Sequence, residues 1–143
     1  MTKSDDAAAS VSAAQMNCAQ AVLIAFCEEL GMEKPVALKI ALPFGAGMGR
    51  TGGICGVVTG AYMVLGLRPY PELTPLEKKE KVYVLVSEFN RRFKVLHGSI
   101  ECTALLGCNL GTPEGRAAAK AKGLITLACP AFVSDAVSIL EGL

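Results

Sequence analysis

The chain of 143 residues contains no tryptophan, and aromatic residues make up only 6% of it. So few rings leave no platform on which bases could stack, which argues against single-stranded nucleic-acid binding. Charge is scarce as well: Asp, Glu, Lys and Arg together are 19% and the net charge is +1, so no basic surface awaits a nucleic-acid backbone. His97 is the single histidine, which leaves no defensible Cys-His-Asp set. No CxxC pair occurs, and that excludes zinc ribbons and thioredoxin-type motifs by spacing. No apolar run reaches the roughly 20 residues that span a bilayer. The longest candidate, 54–67, is interrupted by Gly56, Thr59, Gly60 and Gly66, so a membrane-spanning role is not expected. The opening MTKSDDAAAS carries acids and lacks an apolar h-region, so no secretory signal is expected and the expected location is cytoplasmic.

Small and apolar residues are abundant instead. Hydrophobic residues make up 52% of the chain. In a chain long enough for one domain, that predicts a large core, an apolar oligomer interface, or both, and a homodimer is the expected state. Six cysteines are present: Cys18, Cys27, Cys55, Cys102, Cys108 and Cys129. In a reducing compartment such a set points to metal or redox chemistry more than to a disulfide framework. Any one of them taken alone is more often a small buried hydrophobe.

Periodicity predicts an all-α, single-domain helical bundle of about five to seven helices, with a glycine-rich loop before the third. Residues 1–9 read as a flexible N-terminal tail and 10–143 as the domain. A first helix is expected over 10–30, with Ala14, Cys18, Ala21, Val22, Ala25 and Leu30 at helical spacing and Gly31 as its stop. Cys18 then lies in mid-helix, and Cys27 falls on the opposite face, where packing is its expected role. A second helix over 33–42 ends at Pro43, and a third over 54–67 carries Gly56, Gly60 and Ala61, which let a neighbouring helix come close. Thr74-Pro75-Leu76-Glu77 is a capping-box start for a long helix that reaches His97 and stops at Gly98. Residues 101–107 read as one short turn, and Thr112-Pro113-Glu114 begins an Ala-rich helix stopped by Gly123. The last helix is expected to start at Cys129-Pro130, with Pro130 at its first position.

The stretch over 44–60, FGAGMGRTGGICGVVTG, is the most distinctive. Clustered glycines imply positive φ or backbones in close contact. Residues 47–52 match GxGxxG, but the preceding segment reads as helix and no βαβ unit is visible, so nucleotide binding is not expected. Arg50 reads as a surface residue, with anion binding as its alternative. Cys55 arrives at a helix N-terminus, where the dipole favours thiolate, and Cys129 as an N-cap shares that advantage. Cys18, Cys55 and Cys129 form a plausible set, with Cys102 and Cys108 competing for a fourth place. His97, at a helix C-terminus, reads as a structural cap rather than a ligand.

Asn17-Cys18-Ala19-Gln20, the loop FGAGMGRTGGICG running into Cys55-Gly56-Val57-Val58-Thr59-Gly60, Cys102 before Leu105-Leu106-Gly107, and Cys129-Pro130 together resemble the redox-active family named C-GCAxxG-C-C. The resemblance covers nearly the whole chain, and the four-cysteine pattern with its glycine loop is specific. Val57 stands where the family motif has Ala, a change that adds packing and leaves thiol chemistry intact. The resemblance implies that Cys18, Cys55, Cys102 and Cys129 are the functional cysteines, at once redox-active and cofactor- or metal-binding, with Cys27 and Cys108 as extras. It implies redox or electron-transfer work, often near transporter genes. A similar domain in split-Soret cytochromes uses cysteines for an iron–sulfur cluster, whereas the CxxCH haem site is missing here.

The leading expectation is therefore an electron-transfer protein whose four cysteines hold an iron–sulfur cluster. A metal-free thiol/disulfide exchange protein, in which Cys55 attacks, is the alternative. From another class come a non-catalytic module docked on a membrane transporter and a structural zinc protein. The redox partner is not legible.

Overall fold

Side-chain caps fix where half of the helices begin. The computed structural model describes residues 2–13 and 15–143, and among these it contains eight right-handed α-helices and no strand beyond one isolated bridge. They are α1 Lys3–Ser12, α2 Cys18–Phe26, α3 Lys34–Ala41, α4 Gly56–Leu67, α5 Pro75–His97, α6 Cys102–Leu106, α7 Pro113–Lys122 and α8 Leu124–Glu141. Thr2 with Asp5, Asn17 with Gln20 and Thr74 with Glu77 form reciprocal capping boxes, and Thr112 caps α7 through the Gly115 amide. Left-handed glycines Gly98, Gly107 and Gly123 close α5, α6 and α7.

Helix α8 is the centre of the molecule, and α1, α2, α4, α5 and α7 all pack on it. Helix α2 crosses α4 at close range. A Cβ on Gly60 would stand 2.9 Å from the Ala19 carbonyl and 3.2 Å from Val22 Cβ, so only glycine permits this approach. The small residues foreseen on the third predicted helix thus do meet a neighbour. Around that crossing Val22, Leu23, Val57, Val58, Val64, Leu65, Val133, Val137 and Leu140 are sealed from water, and in the same core Phe89 and Phe93 of α5 are buried and stacked on each other. Each such side chain contributes roughly 1.5–3 kcal/mol of burial free energy.

The all-α single-domain reading holds, but several boundaries differ from expectation. Eight helices exceed the five to seven expected. Where residues 1–9 were expected to form a tail, the Thr2–Asp5 capping box starts α1, which buries Ala7 and Val11 against α8. The helix expected over 10–30 is two helices, because Asn17 adopts an extended backbone and starts α2 afresh. Ala14, which was assigned to that stripe, lies outside the described residues. The last helix begins at Leu124, not at 129, and keeps Pro130 inside it. As a result α8, with 18 residues, is long and apolar enough by length and composition to cross a membrane. Reading Pro130 as a helix start had hidden that length.

Candidate four-cysteine site

Cys18, Cys55, Cys102 and Cys129 line one cleft of about 750 Å³. Local structure explains how each arrives. Cys18 is the first residue of α2. The Asn17 side-chain oxygen accepts from the Gln20 amide at 2.9 Å, and Gln20 Oε1 accepts from the Asn17 amide at 3.0 Å. The remaining donors of these two side chains reach the Leu42 and Leu38 carbonyls, which ties the end of α3 to the start of α2. Cys55 is the N-cap of α4 and Cys102 the first residue of α6. The antiparallel bridge between Ile54 and Glu101 sets the two side by side: the Cys55 amide donates to the Ile100 carbonyl and the Cys102 amide to the Gly53 carbonyl, each at 2.8 Å. Cys129 comes from the body of α8.

The glycine stretch contributes an unusual backbone. Residues 46–50 all have positive φ, between 56° and 73°. The amides of Gly49, Arg50 and Thr51 donate to the carbonyls of Gly45, Ala46 and Gly47 at 2.8, 3.1 and 3.2 Å. This is a single turn of left-handed helix. The conformation costs roughly 1–2 kcal/mol per non-glycine residue, and Ala46, Met48 and Arg50 all adopt it. Strain of that size persists only where the surroundings over-determine it, and such places are often functional. Two features show what the turn positions. A Cβ on Gly47 would lie 2.7 Å from Cys102 Cβ, so the turn packs its backbone on Cys102. The Ala46 amide is also among the groups that bring the Cys18 thiol down.

Electrostatics then separate four similar thiols. A hydrogen bond from Cys55 is the largest influence on Cys18; together with the amides of Ala46, Ala19 and Cys18 itself, it outweighs burial and brings the Cys18 thiol down to about 7. The same contact, with burial, pushes the Cys55 thiol well above its ordinary range. Burial, then the charge on Cys18, raises Cys102 to about 11, and the same two causes with Cys102 added raise Cys129 to about 12. Near neutral pH Cys18 is therefore the most readily ionised of the four, while burial holds the other three toward the thiol form.

These placements amend three sequence readings. Cys55 does start a helix, but the neighbouring Cys18 and burial push its thiol up, while that of Cys18 is brought down. Cys18 is at a helix N-terminus, not in mid-helix. Cys129 gains nothing from a helix dipole, because the helix starts five residues earlier, at Leu124. Between Cys102 and Cys108, only Cys102 lines the cleft. Cys27 is fully buried with its thiol directed at the Ile24 carbonyl, and burial raises its pKa. His97 does end α5, and its Nε2 sits 2.9 Å from Asp135 Oδ2, with the ring against Phe93 and Phe132. It does not line the cleft.

Sequence reasoning passed over Arg116 and Lys120. Both line the cleft, with Ala119 and Gly123 of the same chain stretch, at helical i, i+3, i+4, i+7 spacing. With Arg50 they give the cleft three cations, and among the described residues no carboxylate lines it.

No group of three or more His, Cys, Asp or Glu side chains among the described residues is arranged to hold a metal ion. The donor set therefore does not fit a single tetrahedral zinc, which needs four ligands around one point. It fits an iron–sulfur cluster in chemistry, since four cysteines face one cavity and such clusters spread their thiolate ligands over several irons.

One family profile, described as Putative redox-active protein (C_GCAxxG_C_C), matches residues 16–143. No curated protein and no solved structure matches the chain. The match begins just before Asn17 and takes in the capped Cys18, the left-handed turn, Cys55, Cys102 and Cys129, and on it this chain belongs to the C_GCAxxG_C_C family of redox-active proteins.

Proposed function

We propose that this protein is a thiol/disulfide redox protein in which Cys18 and Cys55 are the working couple. The observation that carries the reading is that Cys18 and Cys55, each buried at the start of a helix, line one cleft, where each is the largest influence on the other's ionisation. A thiolate whose pKa lies near ambient pH attacks a disulfide best, because it combines abundance with nucleophilicity.

In this reading Cys18 attacks one sulfur of a bound disulfide, forming a mixed disulfide and releasing the other half as a thiolate. The proton of Cys55 passes to the departing thiolate. The Cys55 sulfur then attacks Cys18 and expels the second half, leaving a Cys18–Cys55 disulfide. The substrate gains two electrons and the protein loses them. Cys102 and Cys129, both raised by burial, stay protonated meanwhile.

An iron–sulfur cluster held by Cys18, Cys55, Cys102 and Cys129 is the second reading, favoured by the convergence of four cysteines on one cavity. When bound, a cluster would supply one-electron transfer. A cytoplasmic setting and a homodimer are proposed alongside; the second is supported by the exposed Leu76, Tyr83, Val84, Val95 and Leu96 of α5.

Anaerobic purification with thiol titration, metal and sulfide analysis and a visible spectrum on one sample tests the choice. Metal-free protein that loses two thiols reversibly, with peptide mapping that joins Cys18 to Cys55, supports the couple. Iron with sulfide and visible bands supports the cluster and overturns the couple.

A further inference from the structure

We propose that the cleft selects a small anionic disulfide, with Arg50, Arg116 and Lys120 holding its acidic groups while its sulfur meets Cys18. The inference rests on the thiol/disulfide reading above and adds the class of substrate.

The charge pattern carries it. Asp and Glu supply 13 residues of the chain and Lys and Arg 14, so an average cleft lining would mix both signs. Among the described residues, this one has three cations and no carboxylate. None of the three forms an ion pair within the described residues. Arg116 donates to the Leu110 carbonyl at 3.0 Å, which steadies its stem at the wall and leaves further guanidinium donors for a ligand. Lys120 lies one helical turn on, on the same face of α7, with buried Ala119 between them. Arg50 approaches from the left-handed turn, whose strain is hard to explain for a residue of purely surface character.

Two further features suit such a ligand. Leu105, Leu106, Leu110 and Phe132 make the wall largely apolar, which weakens screening and strengthens attraction between the rim and a carboxylate. A cavity of about 750 Å³ falls in the range that encloses small molecules and is small for a folded protein partner. The form of Cys18 that attacks is the anion, so an acidic substrate would be repelled without the cations. Their presence turns the cleft from one that rejects acidic disulfides into one that gathers them.

The covalent step is the exchange already described, with an acidic disulfide as oxidant: it takes two electrons, and two acidic thiols leave. Three probes of similar size separate charge from reactivity: the dianion 3,3′-dithiodipropionate, the neutral 2-hydroxyethyl disulfide and the dication cystamine. The second-order rate of protein thiol oxidation is measured for each, at low and high salt. The dianion should react on the order of tenfold faster than the neutral probe, with cystamine slowest, and salt should compress the series. Lys120→Gln and Arg116→Gln should each narrow the gap between dianion and dication. The Lys120 side chain makes no hydrogen bond among the described residues, and its carbonyl bond from Gly123 is backbone, so Lys120→Gln keeps the test open if Arg116→Gln fails to fold. Equal rates for the three probes, or cystamine fastest, would overturn the anionic substrate and leave the couple standing. No reaction with any probe would overturn both.

Discussion

Replacing Cys55 with alanine removes one hydrogen bond and should change the chemistry of a different cysteine. The Cys55 thiol is the largest influence that lowers Cys18 from 9.0 to about 7. Without it the Ala46, Ala19 and Cys18 amides remain, but so does burial, which acts the other way. Cys18 should then titrate near or above 9. At pH 7 a thiol with a pKa of about 7 is half ionised, whereas one near 9 is about 1% ionised, a loss of roughly fiftyfold in thiolate. The measurement is the pH dependence of iodoacetamide alkylation, with mass spectrometry to assign the modified cysteine. In the unmodified protein the rate should rise with pH through about 7, with Cys18 labelled first. In Cys55→Ala the inflection should move up by about two pH units. Cys55→Ser keeps a hydroxyl donor and should recover part of the shift. If Cys55 is the residue labelled first, or if Cys55→Ala leaves the inflection where it was, the division of labour between the two sulfurs is wrong.

Three other changes test the surroundings. Gly56→Ala would place a Cβ 2.6 Å from Cys18 Sγ and 2.8 Å from the Phe44 carbonyl, so it should destabilise by about 1–3 kcal/mol in urea titrations and also disturb the Cys18 inflection. Ala46→Gly relieves a left-handed alanine at φ 56° and should raise stability by about 1 kcal/mol; a drop instead would mean that the methyl group, not the backbone, matters there. Alkaline stability supplies the last. Cys129 has a folded pKa of about 12 against 9.0, so its contribution is complete below pH 9 and is lost as pH rises toward 12. At about pH 10.5 that loss is on the order of 2 kcal/mol, and Cys129→Ala should flatten the decline between about pH 9 and 10.5 in denaturant titrations.

Much of this site could be read from residue order, and the exceptions have physical reasons. Thr74 with Glu77 announced α5 because Pro75 and a long apolar stripe agreed with the cap. Asn17 with Gln20 carries the same three-residue spacing, yet it was absorbed into one long periodic stretch, since alanines on both sides satisfy a helix in either register. That oversight put Cys18 in mid-helix and hid its amide donors. Pro130 misled in the opposite direction. A proline at a helix start is common, and nothing local distinguishes it from one tolerated inside α8, where packing by α1, α2, α4 and α5 holds the helix together. The glycine run pointed correctly to positive φ and close contact. It could not show that Ala46, Met48 and Arg50 would follow the glycines into the left-handed region, because that outcome depends on Cys102 and Cys18 arriving from elsewhere.

Helix α1 ends before the family match begins at residue 16, yet its Val11 reaches the cleft. The four cysteines thus all lie within the matched stretch, while part of the doorway is furnished by a segment outside it. A change of size at Val11 would reshape the mouth of the cleft without touching a single cysteine.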